Sequence, residues 1–364
     1  MWPNCATRLP KIILALIISL ALGLLAFYKG QFKPYKNIWL LLFLAYIPFN
    51  FLLTPQLNLN IFGLPAESFW VWKSFLFILV FFIAHIAIAS HDFKKDEVLS
   101  MLNIMVWVGL IISVYAFTQT LGFEQFFIGW GPCATLGNTC LSSSFIALTI
   151  PIALYLKRYF VAIIMISMVF FINSQVAYGS MIVSLMFLVA TKSKKLTVLM
   201  TCLFLAASLT LGVGYFKSSK IHNFVGEGGR FKVSKTIIKD LKTPIVENRK
   251  YSFTGFGLGS FPYIFHSKHP EKEMGEIYKE AHNDYLELWY NTGFIGIGLF
   301  LAGLFFFIKQ TFSLERYNRH LIASFLCALI CAGGLFIFQL GAHVFYIIVI
   351  TGLLLNSKRG DYAG

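Results

Sequence analysis

The chain has 364 residues, a length that by itself would fit two or three soluble domains. Its composition excludes them: 57% of residues are apolar, 13% are charged and the mean hydropathy is +0.72, against about 45–50% and about 25% for a soluble domain. Thirty Lys and Arg against 16 Asp and Glu give a net charge of +14, but the basic residues flank many apolar runs and form no single stripe, which excludes a nucleic-acid partner.

Long apolar runs dominate over alternating ones, so the expected fold class is all-α and integral to a membrane. A helix crossing the hydrocarbon core needs about 20 mostly apolar residues. Eleven segments qualify: Lys11–Tyr28, Asn37–Leu53, Phe69–Ser90, Met101–Leu121, Leu141–Leu156, Tyr159–Asn173, Ala177–Thr191, Leu196–Tyr215, Thr292–Ile308, Leu321–Leu340 and His343–Leu355. The first follows Arg8 and Lys11 but lacks a small-x-small cleavage site, and it is read as an anchor.

Charge in the short connections orients the spans, because basic loops stay on the cytoplasmic side. Lys29, Lys33 and Lys36 share one loop, Lys94 and Lys95 another, then Lys157 with Arg158, and Lys192 with Lys194 and Lys195. Lys309, Arg316 and Arg319 follow, and Lys358 with Arg359 close the series. The connections 54–68, 119–140, 174–176 and 341–342 between them carry no basic residue. This alternation predicts a multi-pass protein with a cytoplasmic C-terminus. Eleven spans would put Arg8 and Lys11 outside, against the rule, so a count of 11–12 stays open. Residues 1–215 then form an N-terminal bundle of about eight spans, 216–291 a long outer segment, and 292–364 about three spans with a cytoplasmic tail.

The outer segment carries twelve basic and nine acidic residues. In its first half, Phe231, Ser234, Ile238 and Leu241 recur at helical spacing, with Lys232, Lys235, Lys239 and Lys242 on the other face. That pattern predicts an amphipathic helix lying on a membrane or across a cavity mouth. Arg230 opens it, and a planar guanidinium matches two phosphate oxygens at once where lysines supply a field. Next, Gly255, Gly257 and Gly259 alternate within Thr254–Phe261, which predicts a tight turn rather than a nucleotide loop, since G-x-G-x-x-G is absent. A second helix is expected from Pro270, with Met274, Ile277, Tyr278, Ala281 and Tyr285 as its apolar stripe, leading into the ninth span. It gathers His282, Asn283, Asp284 and Glu287 at the outer water–lipid boundary, where proton affinities can be tuned. Cys133 and Cys140 share an outer loop and are placed to pair in an oxidising compartment; no spacing suggests a metal site.

Ala281-His282-Asn283-Asp284-Tyr285-Leu286-Glu287 followed by Asn291-Thr-Gly293-Phe-Ile-Gly296 resembles the histidine motif of the O-antigen ligase and polymerase superfamily of bacterial inner membranes. Gly229-Arg230 and the Gly255–Phe261 turn resemble its arginine and glycine motifs, in the same order, and Gly137-Asn138 with Pro151 is similar to another landmark. The likeness covers residues 130–300 in detail. It implies a metal-independent, cofactor-free glycosyltransferase working on the periplasmic face. Such an enzyme takes a glycan from undecaprenyl diphosphate and passes it to a lipid A-core or other glycan hydroxyl.

Under that resemblance the leaving diphosphate needs cations, for which Arg230 is the first candidate and Lys232, Arg249 and Lys250 the reserve. The attacking hydroxyl needs a base, for which His282 is the candidate, with Asn283, Asp284 and Glu287 to bind or orient the acceptor. Gly293 joins Gly255, Gly257 and Gly259 as a turn residue. One departure stands out: the middle-span motif, which in the family holds an arginine, reads Asn173-Ser-Gln-Val-Ala-Tyr-Gly-Ser180, so Lys73 is considered as its substitute. Ligase, polymerase and protein O-oligosaccharyltransferase share these motifs and differ mainly in acceptor. Protein-glycosylating relatives tend to be longer, so the resemblance leans towards a ligase, with a polymerase or a protein O-oligosaccharyltransferase as alternatives. A solute transporter is the alternative of another class; it predicts charged or broken helices at the midplane, where this chain is nearly free of charge.

Overall fold

The computed structural model describes residues 37–52, 66–91, 93–123, 134–190, 230–242, 250–270, 274, 278–312 and 315–356. Among them the chain is helical, with no strand. The expected spans at 11–28 and 196–215, the C-terminal tail, and Cys133 lie outside the described residues.

The helices are α1 (Ile38–Leu52), α2 (Ala66–Ser90), α3 (Lys95–Thr120), α4 (Thr139–Tyr155), α5 (Tyr159–Ile172) and α6 (Gln175–Ala190), followed by α7 (Arg230–Lys242), α8 (Lys250–Thr254) and α9 (Phe261–Lys268), then α10 (Asp284–Phe312), α11 (Glu315–Ala332) and α12 (Gly341–Asn356). Two of these, α3 and α10, are long and apolar enough to cross a membrane. Helix α3 starts six residues before its apolar run, because Glu97 reaches back to the Lys94 amide (2.8 Å) and sets the first turn there. In the same way Asn138 caps α4 by accepting from the Cys140 amide. Helix α11 stops at Ala332, eight residues short of expectation. The amides of Gly333 and Gly334 there close back on the Ile330 and Cys331 carbonyls.

Contacts divide the chain into two compact units, each discontinuous in sequence. The first joins the described residues of 81–201 with those of 310–364. Its centre is α4, buried on every side from Leu141 to Ala153 and packed by α3, α5, α6 and α11. Small and hydroxyl residues line these contacts, letting backbones approach: the Ser324 hydroxyl donates to the Leu148 carbonyl (2.6 Å) and the Cys331 thiol to Ser180 (3.0 Å). Two buried imidazoles are held likewise, His343 by Ser144 (3.0 Å) and His85 by Thr351 (3.1 Å).

The second unit joins 35–80 with 202–309. Here α1 lies against α10, with the Asn37 amide donating to the Gly303 carbonyl at 2.8 Å. Phe43 and Ile47 of α1 share a core with Leu258, from the glycine-rich turn. Apolar side chains also face outward. On α3, Ile104, Trp107, Ile111, Val114 and Phe117 form an exposed stripe at helical spacing, and Ile111 is 64% exposed. On α10, Phe294, Ile295, Leu301 and Phe305 do the same.

Candidate functional site

Two glycine segments far apart in sequence meet in the second unit. Within α10, Gly293 adopts φ 66 and ψ −170, a region essentially reserved for glycine, and the helix kinks. A kink of this kind frees the carbonyls of the preceding turn, and buried carbonyls need new donors. The turn at 254–261 supplies them. The Phe256 amide donates to the Tyr290 carbonyl (3.0 Å) and the Gly257 amide to the Asn291 carbonyl (2.9 Å). From α1, the Tyr46 hydroxyl donates to the Thr292 carbonyl at 3.0 Å, and Asn50 donates to the Thr254 carbonyl at 2.6 Å. The Asn291 side chain closes the joint by accepting from the Phe261 amide (3.1 Å) and the Ser260 hydroxyl (3.3 Å).

Closeness explains the glycines. A Cβ on Gly255 would lie 2.4 Å from the Asn291 carbonyl, and one on Gly293 would lie 2.2 Å from the Phe253 oxygen. Gly255, Gly257 and Gly259 all have positive φ (72°, 102° and 72°), so the turn is left-handed at each alternate step. It is a backbone clasp.

Eleven residues before the kink lies the histidine. Sequence periodicity placed His282 inside a helix starting at Pro270. The structure instead starts α10 at Asp284 and leaves His282 just before it, with φ 52. Asn283 is the reason: its side chain accepts from the Tyr285 and Leu286 amides, both at 3.1 Å, and so fixes the N-terminus there. Glu287 is buried and accepts from the Ala281 amide at 2.8 Å. Asp284 is buried as well, and both carboxylates lie in the first turn, where the helix dipole favours negative charge.

Helix α7 packs its face of Val233, Ile237 and Leu241 into a core that also holds Phe256, Phe261, Phe265, Ala281 and Tyr290. The lysine face assigned from sequence is the outward one, with Lys235 and Lys239 exposed and Lys232 half-buried. Of the expected stripe of Phe231, Ser234, Ile238 and Leu241, Leu241 is buried, Ser234 and Ile238 are half-buried, and the side chain of Phe231 lies outside the described residues. The buried face is centred one residue back, on Val233 and Ile237, where it meets the apolar cluster of Phe256, Phe261, Phe265 and Tyr290. Arg230 and Lys250 are the first residues of α7 and α8, and their side chains lie outside the described set, as does that of Lys73 in α2. Arg249 lies outside the described residues altogether. The middle-span stretch turns at Asn173, whose left-handed backbone (φ 60) ends α5.

Polar side chains also meet where sequence patterns did not flag it. Asp240 on α7 meets the His269 ring just after α9, at 3.0 Å. Neighbouring Lys268 sits 4.0 Å from the centroid of Phe256, and burial lowers its pKa while Asp240 opposes the shift. Of the residues the reading missed, Tyr46 and Asn50 carried a usable signal: polar groups inside an apolar helix ask for partners. Asp240 on α7 and His269 just after α9, 29 positions apart, carried none. Among the described residues, no group of three or more His, Cys, Asp or Glu could hold a metal ion. No protein-family model matches the chain, and no curated protein matches it either.

Proposed function

We propose that the protein is a multi-pass inner-membrane glycosyltransferase of the O-antigen ligase type. In this reading it transfers a glycan from undecaprenyl diphosphate to a lipid A-core hydroxyl on the periplasmic face. The observation that carries the reading is the shared core of the outer cap. Helix α7, which Arg230 opens, packs on the same cluster as Ala281 and the glycine turn, while that turn is clasped to α10 below His282. Three motifs of the resemblance thereby belong to one compact unit. Membrane insertion is supported by the outward apolar stripes of α3 and α10, which water would not tolerate at this extent, and orientation by the alternation of basic loops.

The chemistry follows from those groups. The acceptor oxygen attacks the anomeric carbon, its proton passes to the His282 imidazole, and the bond to the diphosphate oxygen breaks. Undecaprenyl diphosphate leaves with the bonding pair, and Arg230 meets the charge that grows on it, backed by Lys232 and by Arg249 and Lys250. A polymerase or protein O-oligosaccharyltransferase differs in acceptor, not in these steps. The transport alternative draws on His85 and His343, buried in the first unit, and on the break in α10. Both imidazoles are engaged by hydroxyls of neighbouring helices, and the carbonyls freed at the break already accept from Phe256, Gly257 and Tyr46. Transferase chemistry is therefore favoured.

The test uses the full chain in lipid nanodiscs with an undecaprenyl-diphosphate-linked glycan and lipid A-core. Transfer is expected, insensitive to chelator, and reduced about 100-fold or more by His282→Ala and by Arg230→Ala. Undiminished transfer in either variant removes that residue from the mechanism, and solute flux without transfer would favour the transporter.

A further inference from the structure

The histidine loop is built to hold one side chain still. Ala281 is fully buried in the cap core, and its amide is bound by Glu287 at 2.8 Å. On the other side Asn283 is fixed by its cap, accepting from two amides of the first turn of α10. His282 stands between these pinned neighbours in a left-handed conformation that residues other than glycine seldom adopt. Strained backbone of this kind persists only where the surroundings over-determine it. Glu287 is the over-determining contact that comes from further along the helix, six residues from the amide it binds.

The geometry points to Glu287 as the positioning residue of His282, acting through the Ala281 amide rather than by touching acceptor. Its catalytic meaning rests on the transferase reading above. Glu287 is only 7% exposed, and one of its oxygens is committed to backbone, which suits a strut better than a sugar-binding carboxylate. The role needs an acceptor oxygen at the reach of a glutamate side chain. Glutamine supplies that oxygen without the charge; aspartate falls short by one methylene; alanine removes it.

Four variants, Glu287→Gln, Glu287→Asp, Glu287→Ala and His282→Ala, are therefore compared in the same nanodisc assay, with amide hydrogen exchange at Ala281 and His282 as a readout independent of turnover. Glu287→Gln is expected to keep kcat within about threefold of the wild type, while Glu287→Ala and Glu287→Asp lose about 100-fold in kcat with little change in the acceptor KM. Exchange at Ala281 should stay slow in the glutamine variant and become fast in the alanine variant. Glutamine as inactive as alanine would show that the charge itself acts, and would overturn the inference. So would a rise confined to the acceptor KM, which assigns Glu287 to binding, or slow exchange at Ala281 in the alanine variant. Should His282→Ala retain full turnover, the transferase mechanism fails by itself. The exchange data would still decide whether Glu287 fixes the loop.

Discussion

His282 sits at φ 52, where a side chain with a Cβ costs about 1–2 kcal/mol and glycine nothing. Activity and stability therefore pull apart at this residue. His282→Gly is expected to abolish transfer yet to melt at or above the wild-type temperature, about 1 kcal/mol more stable than His282→Ala. Thermal melting of the three purified proteins checks the order. A glycine variant less stable than alanine would contradict the strained backbone at this position, whereas both variants melting well below the wild type would mean that imidazole contacts hold the loop. The role of this histidine as a site candidate was legible in sequence, since His-Asn before an apolar run is visible in one dimension. Its backbone state was not, because helical periodicity runs on through Ala281 and Tyr285 while Asn283 stops the helix locally.

At the scale of elements, the clasp between the glycine turn and α10 is the joint on which the cap depends. Gly293→Ala combines a forbidden backbone region with a Cβ 2.2 Å from the Phe253 oxygen, and it is expected to cost about 3 kcal/mol or more. Loss of folded protein at ordinary temperature, or a melting point lowered by many degrees, is the expected reading; an unchanged melting point would contradict the kink. The link between α7 and α9 is weaker. Asp240 and His269 are each mostly buried, and a double-mutant cycle with Asp240→Asn and His269→Gln should return a coupling of about 1 kcal/mol in stability. A coupling near zero would leave the apolar face of α7 as its only described anchor. Sequence showed that α7 is amphipathic but centred its apolar face on Ser234 and Ile238, one residue from the buried Val233 and Ile237. Ser234 and Ile238 fit helical spacing as well as Val233 and Ile237 do, and the facing core separates the two pairs.

For the whole molecule, orientation is the testable claim. Ser267 is exposed on α9 and Lys95 is exposed at the start of α3. In a background with the six native cysteines replaced, Ser267→Cys should react with a membrane-impermeant maleimide in spheroplasts, and Lys95→Cys only after lysis. The reverse pattern would turn the protein over and remove the outer site. The net charge of +14 belongs mainly to this scale, since the short connections carry basic residues with few acidic ones while residues 216–291 nearly balance their own. The two compact units also belong to it. Each gathers segments from distant parts of the chain, so that α1 and the cap, more than 150 residues apart, share one core.

By itself, the sequence determined the helical class and most of the described helices, because apolar length and cap residues act over one turn or one run. Tertiary structure alone decided that Gly255 and Gly293 meet, that Tyr46 and Asn50 serve the carbonyls around the kink, and that Asp240 finds His269. Those facts depend on which surfaces touch. Satisfying buried polar groups is a condition on the packed unit as a whole, and no local pattern encodes the partner.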